Sequence, residues 1–123
     1  MSPRTLIVSG ALLSGLAVGL GAFAAHGLEG SVTPRDGATF ETGARYQMYH
    51  GLALLLLAAL PPGHRRLRAA AAWCFVLGTL LFSGSLYLLV LTGPRWLGAV
   101  TPVGGTLFLA GWVALAASAR RAG

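Results

Sequence analysis

The apolar positions of this chain gather in four long runs. They are TLIVSGALLSGLAVGLGAFAA (5–25), YQMYHGLALLLLAAL (46–60), AAAAWCFVLGTLLFSGSLYLLVL (69–91) and LGAVTPVGGTLFLAGWVALAASA (97–119). A helix rises 1.5 Å per residue, so about 20 residues cross a hydrocarbon core of about 30 Å. The first, third and fourth runs are long enough, whereas the second, at 15 residues, is short on its own. Upstream residues extend it. Thr33-Pro34-Arg35-Asp36 reads as a helix start, with a threonine cap, proline at the first position and an acid in the first turn. Glu41 and Arg45 stand four apart in the favourable order. The second helix is therefore expected to begin outside the membrane and run in, with a break near Gly37 or Gly43. Pro61-Pro62-Gly63 ends it.

The pattern predicts an all-α integral membrane protein. Residues 1–123 form one bundle of four transmembrane helices over about 5–26, 39–60, 68–91 and 98–119, and the loop 27–38 holds part of a helix. The first run imitates a signal peptide, with Arg4 ahead of it and Ala22-Phe23-Ala24 at its end. Its length and glycine content favour a retained span instead. Composition agrees: 55% of residues are hydrophobic and 10% charged, against about 25% in soluble domains. The mean hydropathy is +0.72.

Charge then sets orientation. Nine arginines against three acids give a net charge of +6. The arginines punctuate the apolar runs instead of forming a face, so a nucleic-acid partner is not expected. Arg4, Arg65, Arg66, Arg68, Arg120 and Arg121 fall on one side, and Arg35, Arg45 and Arg95 on the other. The positive-inside rule places both termini and the middle loop in the cytoplasm, in a multi-pass protein of the inner (plasma) membrane. The single cysteine, Cys74, excludes an intrachain disulfide and any CxxC motif.

Small residues offer packing seams: Ala11, Gly15 and Gly19 on helix one, and Thr106, Ala110, Ala114 and Ser118 on helix four. The sequence leaves open whether they face neighbours in the chain, a second copy or another membrane protein.

The polar residues of the spans collect toward the outer side. They are His26 at the end of helix one, Tyr46, Gln47, Tyr49 and His50 on helix two, Thr79, Ser83, Ser85 and Tyr87 on helix three, and Thr101 with Gly104 and Gly105 on helix four. The inner halves offer mainly Ser9, Trp73 and Trp112. Each residue has a structural explanation. His26 precedes Gly27, a left-handed cap; the tyrosines suit an aromatic belt; the hydroxyls bond back along their own helices; and Thr101 caps helix four. Their shared depth suggests more: a polar pocket built from His26, Tyr46, His50, Ser83, Ser85, Tyr87, Thr101, Gly104 and Gly105. The amides at the start of helix four would there meet a lipid headgroup or small polar ligand. Two further readings stay open. His26 and His50 are candidate axial ligands of a haem, or with Glu29 or Glu41 ligands of a metal ion, in a redox protein. A proton-coupled transporter would rest on His50, since no acid is expected inside a helix core. Otherwise the sequence predicts no catalytic residue, metal site or cofactor.

GAFAAHGL, RYQMYHGLALL, LFSGSLYLLVLTG and LGAVTPVGGTLFLAGW, in this order, resemble a family of small membrane proteins. It is catalogued as a domain of unknown function, with bacterial YgdD- and YwdK-type members and a eukaryotic transmembrane relative. The resemblance covers nearly the whole chain. It implies a four-helix inner-membrane protein without an established activity, whose eukaryotic relatives are placed in mitochondria. The resemblance is carried by His26, Tyr46, His50, Phe82 to Tyr87 and Thr101 to Gly105. Ala24 departs from the Gly-Ala-Phe-Gly-Ala-His pattern of the family, so no very tight backbone contact is expected at that position.

Overall fold

A computed structural model describes residues 1–120 of the chain; Arg121 lies outside the described residues. Four α-helices follow one another: α1 (Pro3–Ala22), α2 (Pro34–Ala59), α3 (Arg65–Thr92) and α4 (Thr101–Ser118). A π-helical turn, Phe23–Gly27, prolongs α1, and a 3-10 turn, Arg95–Ala99, leads into α4. No strand occurs among the described residues.

Local chemistry sets the helix ends. Ser2 caps α1 by accepting from the amide of Thr5 at 3.2 Å. Thr33 caps α2 in the same way, accepting from Asp36 at 3.1 Å, with Pro34 at the first position. From there α2 runs unbroken for 26 residues. The expected break at Gly37 or Gly43 is absent, because Gly43 serves packing: a Cβ there would stand 2.7 Å from the Tyr87 ring. His64 caps α3, so that helix starts at Arg65. Its end is Gly93, whose φ of 92° is a left-handed conformation that a side chain resists.

Gly27 does not play that part for α1. Its φ is not positive. The helix instead widens by one residue, and the Leu28 amide reaches the Phe23 carbonyl at 3.0 Å. The ring of Phe23 lies where a side chain at Gly27 would stand, 2.6 Å from an ideal Cβ.

Successive helices pack antiparallel: α2 lies between α1 and α3, and α4 lies on α3. Small residues set the contacts. Gly10 on α1 meets the Gly51 carbonyl, Gly78 on α3 meets Phe108 and the Gly104 carbonyl, and Gly111 on α4 meets Phe75. Between them lies a core of Leu6, Ala53, Leu54, Leu57, Ala71, Ala72 and Phe75. Large apolar side chains such as Leu12, Leu16, Leu80, Leu109 and Val113 point outward. Small residues inside and leucines outside is the arrangement expected where lipid replaces water. Three helical stretches, Pro3–Gly27, Arg65–Thr92 and Arg95–Ser118, are long and apolar enough to cross a membrane.

The packing seams differ from the sequence expectation. Ala11, Gly15 and Gly19 are exposed, and a Cβ at Gly15 or Gly19 would meet nothing within 4 Å. The seam of α1 is Leu6, Gly10 and Ala17, rotated nearly half a turn from the predicted stripe. On α4 it is Gly104, Phe108, Gly111 and Ser118. Thr106 and Ala110 face outward and only Ser118 of the predicted stripe is fully buried.

Candidate functional site

The polar residues of the helices meet in the interior and bond mainly to one another. Gln47 on α2 is the centre of one group. Its Nε2 donates to the Leu13 carbonyl of α1 at 2.8 Å, and its Oε1 accepts from the Tyr87 hydroxyl of α3 at 2.8 Å. One side chain thus ties three helices. Four residues earlier on α2, the Gly43 carbonyl accepts from Ser83 at 2.6 Å. On the other side of α3, Ser85 donates to the Phe82 carbonyl at 2.9 Å and bonds the Thr101 hydroxyl of α4. Thr79 bonds back to Phe75 at 2.8 Å within its own helix.

His50 belongs to a second group. Its Nδ1 lies 2.7 Å from the Tyr46 carbonyl, and the Trp112 indole donates to its Nε2 at 3.0 Å. A carbonyl only accepts and an indole N–H only donates, so the two partners fix the tautomer. Nδ1 carries the proton and Nε2 the lone pair of a neutral imidazole. The ring stacks on Phe108 at 3.6 Å and 5°. Phe75 and Tyr46 complete the aromatic surround.

Tyr46, His50, Ser83, Ser85, Tyr87 and Thr101 thus fall into separate hydrogen-bonded groups between the helices. His26 stays apart: it is exposed on the π-helical turn. That turn meets α2 through Phe23 against Phe40, and His50 lies ten residues, about 15 Å, further along α2. The two histidines therefore do not form a ligand pair. The lone pair that a metal or haem iron would need at His50 is already directed at Trp112. Among the described residues no three His, Cys, Asp or Glu side chains come together.

Thr101 does not cap α4. Val100 precedes the helix in a helical conformation, because the 3-10 turn feeds straight into it. The amides of Val103 and Gly104 bond the Val100 carbonyl at 3.1 and 3.3 Å. Gly104 presses on the backbone of Phe82, and Gly105 faces the ring of the same residue. These glycines let α3 approach α4 closely at Phe82. Tyr46 contributes its carbonyl to His50 and its ring to Phe82, at 4.8 Å.

Sequence reasoning missed two features. Trp112 read as an inner-half aromatic, yet it is the partner of His50; the contact joins residues 62 apart and has no local signal. The second is a cavity of about 770 Å³ between the start of α1, the end of α2 and the start of α3. Leu6, Leu57, Leu60 and Ala72 form its apolar walls, and Arg65 and Arg68 stand in it. Arg68 is braced by Ser118 of α4, whose hydroxyl accepts from Nε at 2.7 Å. The run Pro61-Pro62-Gly63 followed by three arginines marks the place in sequence.

A family model described as a protein of unknown function (DUF423) matches residues 20–105. The chain belongs to the DUF423 family. Relatives of this DUF423 protein are membrane proteins by name. The UPF0382 membrane protein of Staphylococcus haemolyticus is 46% identical over 112 residues, covering 91% of this chain and 92% of its own length. The UPF0382 membrane protein YwdK of Bacillus subtilis is 42% identical over 118 residues, covering 94% and 96%. No solved structure matches this DUF423 chain.

Proposed function

We propose that the protein is a non-enzymatic, four-span protein of the inner membrane, with both termini cytoplasmic, that holds an anionic phospholipid at its cytoplasmic end. Support for α2 as the fourth span is its position. It lies between α1 and α3, both of which are long and apolar enough to cross. It turns Gln47 and His50 inward and Leu52 and Leu56 outward. The arginines support the orientation, with Arg4, Arg65, Arg66, Arg68 and Arg120 at one end of the bundle and Arg35 and Arg95 at the other.

The observation that carries the lipid reading is the cavity at the arginine-rich end. Its volume falls in the range of small-ligand sites, its walls suit an acyl chain, and its two guanidinium groups suit a phosphate diester. The interior polar groups hold the helices together and favour no ligand, since their donors and acceptors are directed at each other. Native mass spectrometry of the detergent-extracted protein tests this. The wild-type chain is expected to retain phosphatidylglycerol or cardiolipin in excess over phosphatidylethanolamine. Arg65→Glu loses that excess, and Arg66→Glu, outside the cavity, keeps it. Anionic lipid present only in its bulk proportion refutes the reading.

A further inference from the structure

Glu41 and Arg45 form an ion pair on α2. Arg45 donates to the Glu41 carboxylate at 3.3 Å, and the two side chains are 53% and 60% exposed, Arg45 first. They line a shallow groove of about 230 Å³ with Ala17 and Gly21 of α1. Ala17 is nine residues before His26, about 13 Å along the helix, and thirteen after Arg4, about 20 Å. Helix α3 gives the same depth. Gly43, between the two charged residues, is bonded to Ser83, which stands nine residues, about 13 Å, before the end of α3 at Thr92. Nearer the charges, Gly21 is five residues, about 8 Å, before His26, and Phe40, the residue before Glu41, meets Phe23 of the π-helical turn; the acid and the guanidinium therefore lie within about two helical turns of the outer end of the span. This depth rests on the membrane placement proposed above.

Acyl chains supply no hydrogen bonds, and charges within a span ordinarily face a protein interior, a water-filled cavity or a partner. We propose that this face of α1 and α2 docks a second copy of the chain, whose own Glu41 and Arg45 complete the site. The pair is self-complementary, one cation and one anion per copy. A two-fold axis along the membrane normal puts equal residues at equal heights. Arg45 reaches up one helical turn to Glu41, so its guanidinium already stands at carboxylate height. That group has five N–H donors, of which the intrachain bond uses one. Two carboxylates and two guanidinium groups at one height close into a neutral ring. Around it, Ala17, Gly21 and Ala44 leave room for a close helix approach, and Met48 and Tyr49 form the rim.

Disulfide crosslinking in membranes tests the proposal in a Cys74→Ala background. Met48→Cys, in the groove, is expected to give a dimer on oxidation with copper phenanthroline; Leu109→Cys, exposed on α4, is expected to stay monomeric. Adding Glu41→Gln with Arg45→Met leaves no charge to hinder insertion and abolishes the Met48→Cys dimer. The swap Glu41→Arg with Arg45→Glu restores it. Equal crosslinking at Met48→Cys and Leu109→Cys overturns the docking, as does a dimer that survives neutralisation. Labelling of Tyr49→Cys by an impermeant maleimide separates the two failures. If it reacts as fast as Ser31→Cys, the face lies in water and the proposal falls with the membrane placement; if it is protected and the protein is monomeric, the docking alone falls.

Discussion

Replacing Gln47 by leucine removes a side chain that bonds α1, α2 and α3 together. The Leu13 carbonyl loses a donor, and the half-buried Tyr87 hydroxyl loses its Gln47 acceptor. Interhelical hydrogen bonds in membranes average about 0.6 kcal/mol each, and an orphaned buried hydroxyl costs on the order of 1 kcal/mol or more. Two lost bonds and one orphan make Gln47→Leu less stable by about 2 kcal/mol. Tyr87→Phe loses one bond and orphans the Gln47 amide oxygen, about 1.5 kcal/mol. The double variant loses both bonds but leaves no orphan, so it costs only about 1 kcal/mol. The cycle should therefore fall about 2.5 kcal/mol short of additivity. Reversible unfolding of the chain in bicelles, followed by helix circular dichroism, measures all three. A Gln47→Leu variant as stable as wild type, or an additive cycle, refutes the clasp.

The glycines separate contact from exposure. Gly104→Ala drives a methyl into the Phe82 backbone and should cost about 1–3 kcal/mol. Gly15→Ala and Gly19→Ala meet nothing and should be neutral or stabilising by about 0.5–1 kcal/mol, the helix-propensity gain; the reverse order of stability would restore the predicted seam. Trp112→Phe removes the donor to His50 Nε2. The ¹⁵N spectrum of selectively labelled histidine should show the Nδ1–H tautomer in the wild type and a shifted Nε2 resonance in Trp112→Phe, and an Nε2–H signal in the wild type contradicts the assignment.

Features with local causes were legible in the sequence. Thr33 and Pro34 start α2 and Pro61-Pro62-Gly63 follows its end, because capping involves neighbours within a turn. Helix rotation was not legible. Gly10 and Gly15 are equally small, and only the partner Gly51 decides which one faces inward. The separation of the two histidines was not legible either. His50 stacks among Phe75, Phe108 and Trp112, ten residues along α2 from Phe40, which meets the turn that carries His26; those contacts join residues far apart in sequence and leave no local signal. The match to the family was legible because its blocks run through all four helices, and it carried the architecture without carrying the contacts.

If the chain is a four-span bundle, α2 crosses the membrane beside α1 and α3. Single cysteines in a Cys74→Ala background, labelled in whole cells with an impermeant maleimide, decide it. Ser31→Cys should react from outside, Leu52→Cys and Leu56→Cys from neither side, and Pro62→Cys only after the cells are opened. Reaction at Leu52→Cys and Leu56→Cys as fast as at Ser31→Cys would put α2 in water, and reaction of Pro62→Cys in intact cells would reverse the orientation.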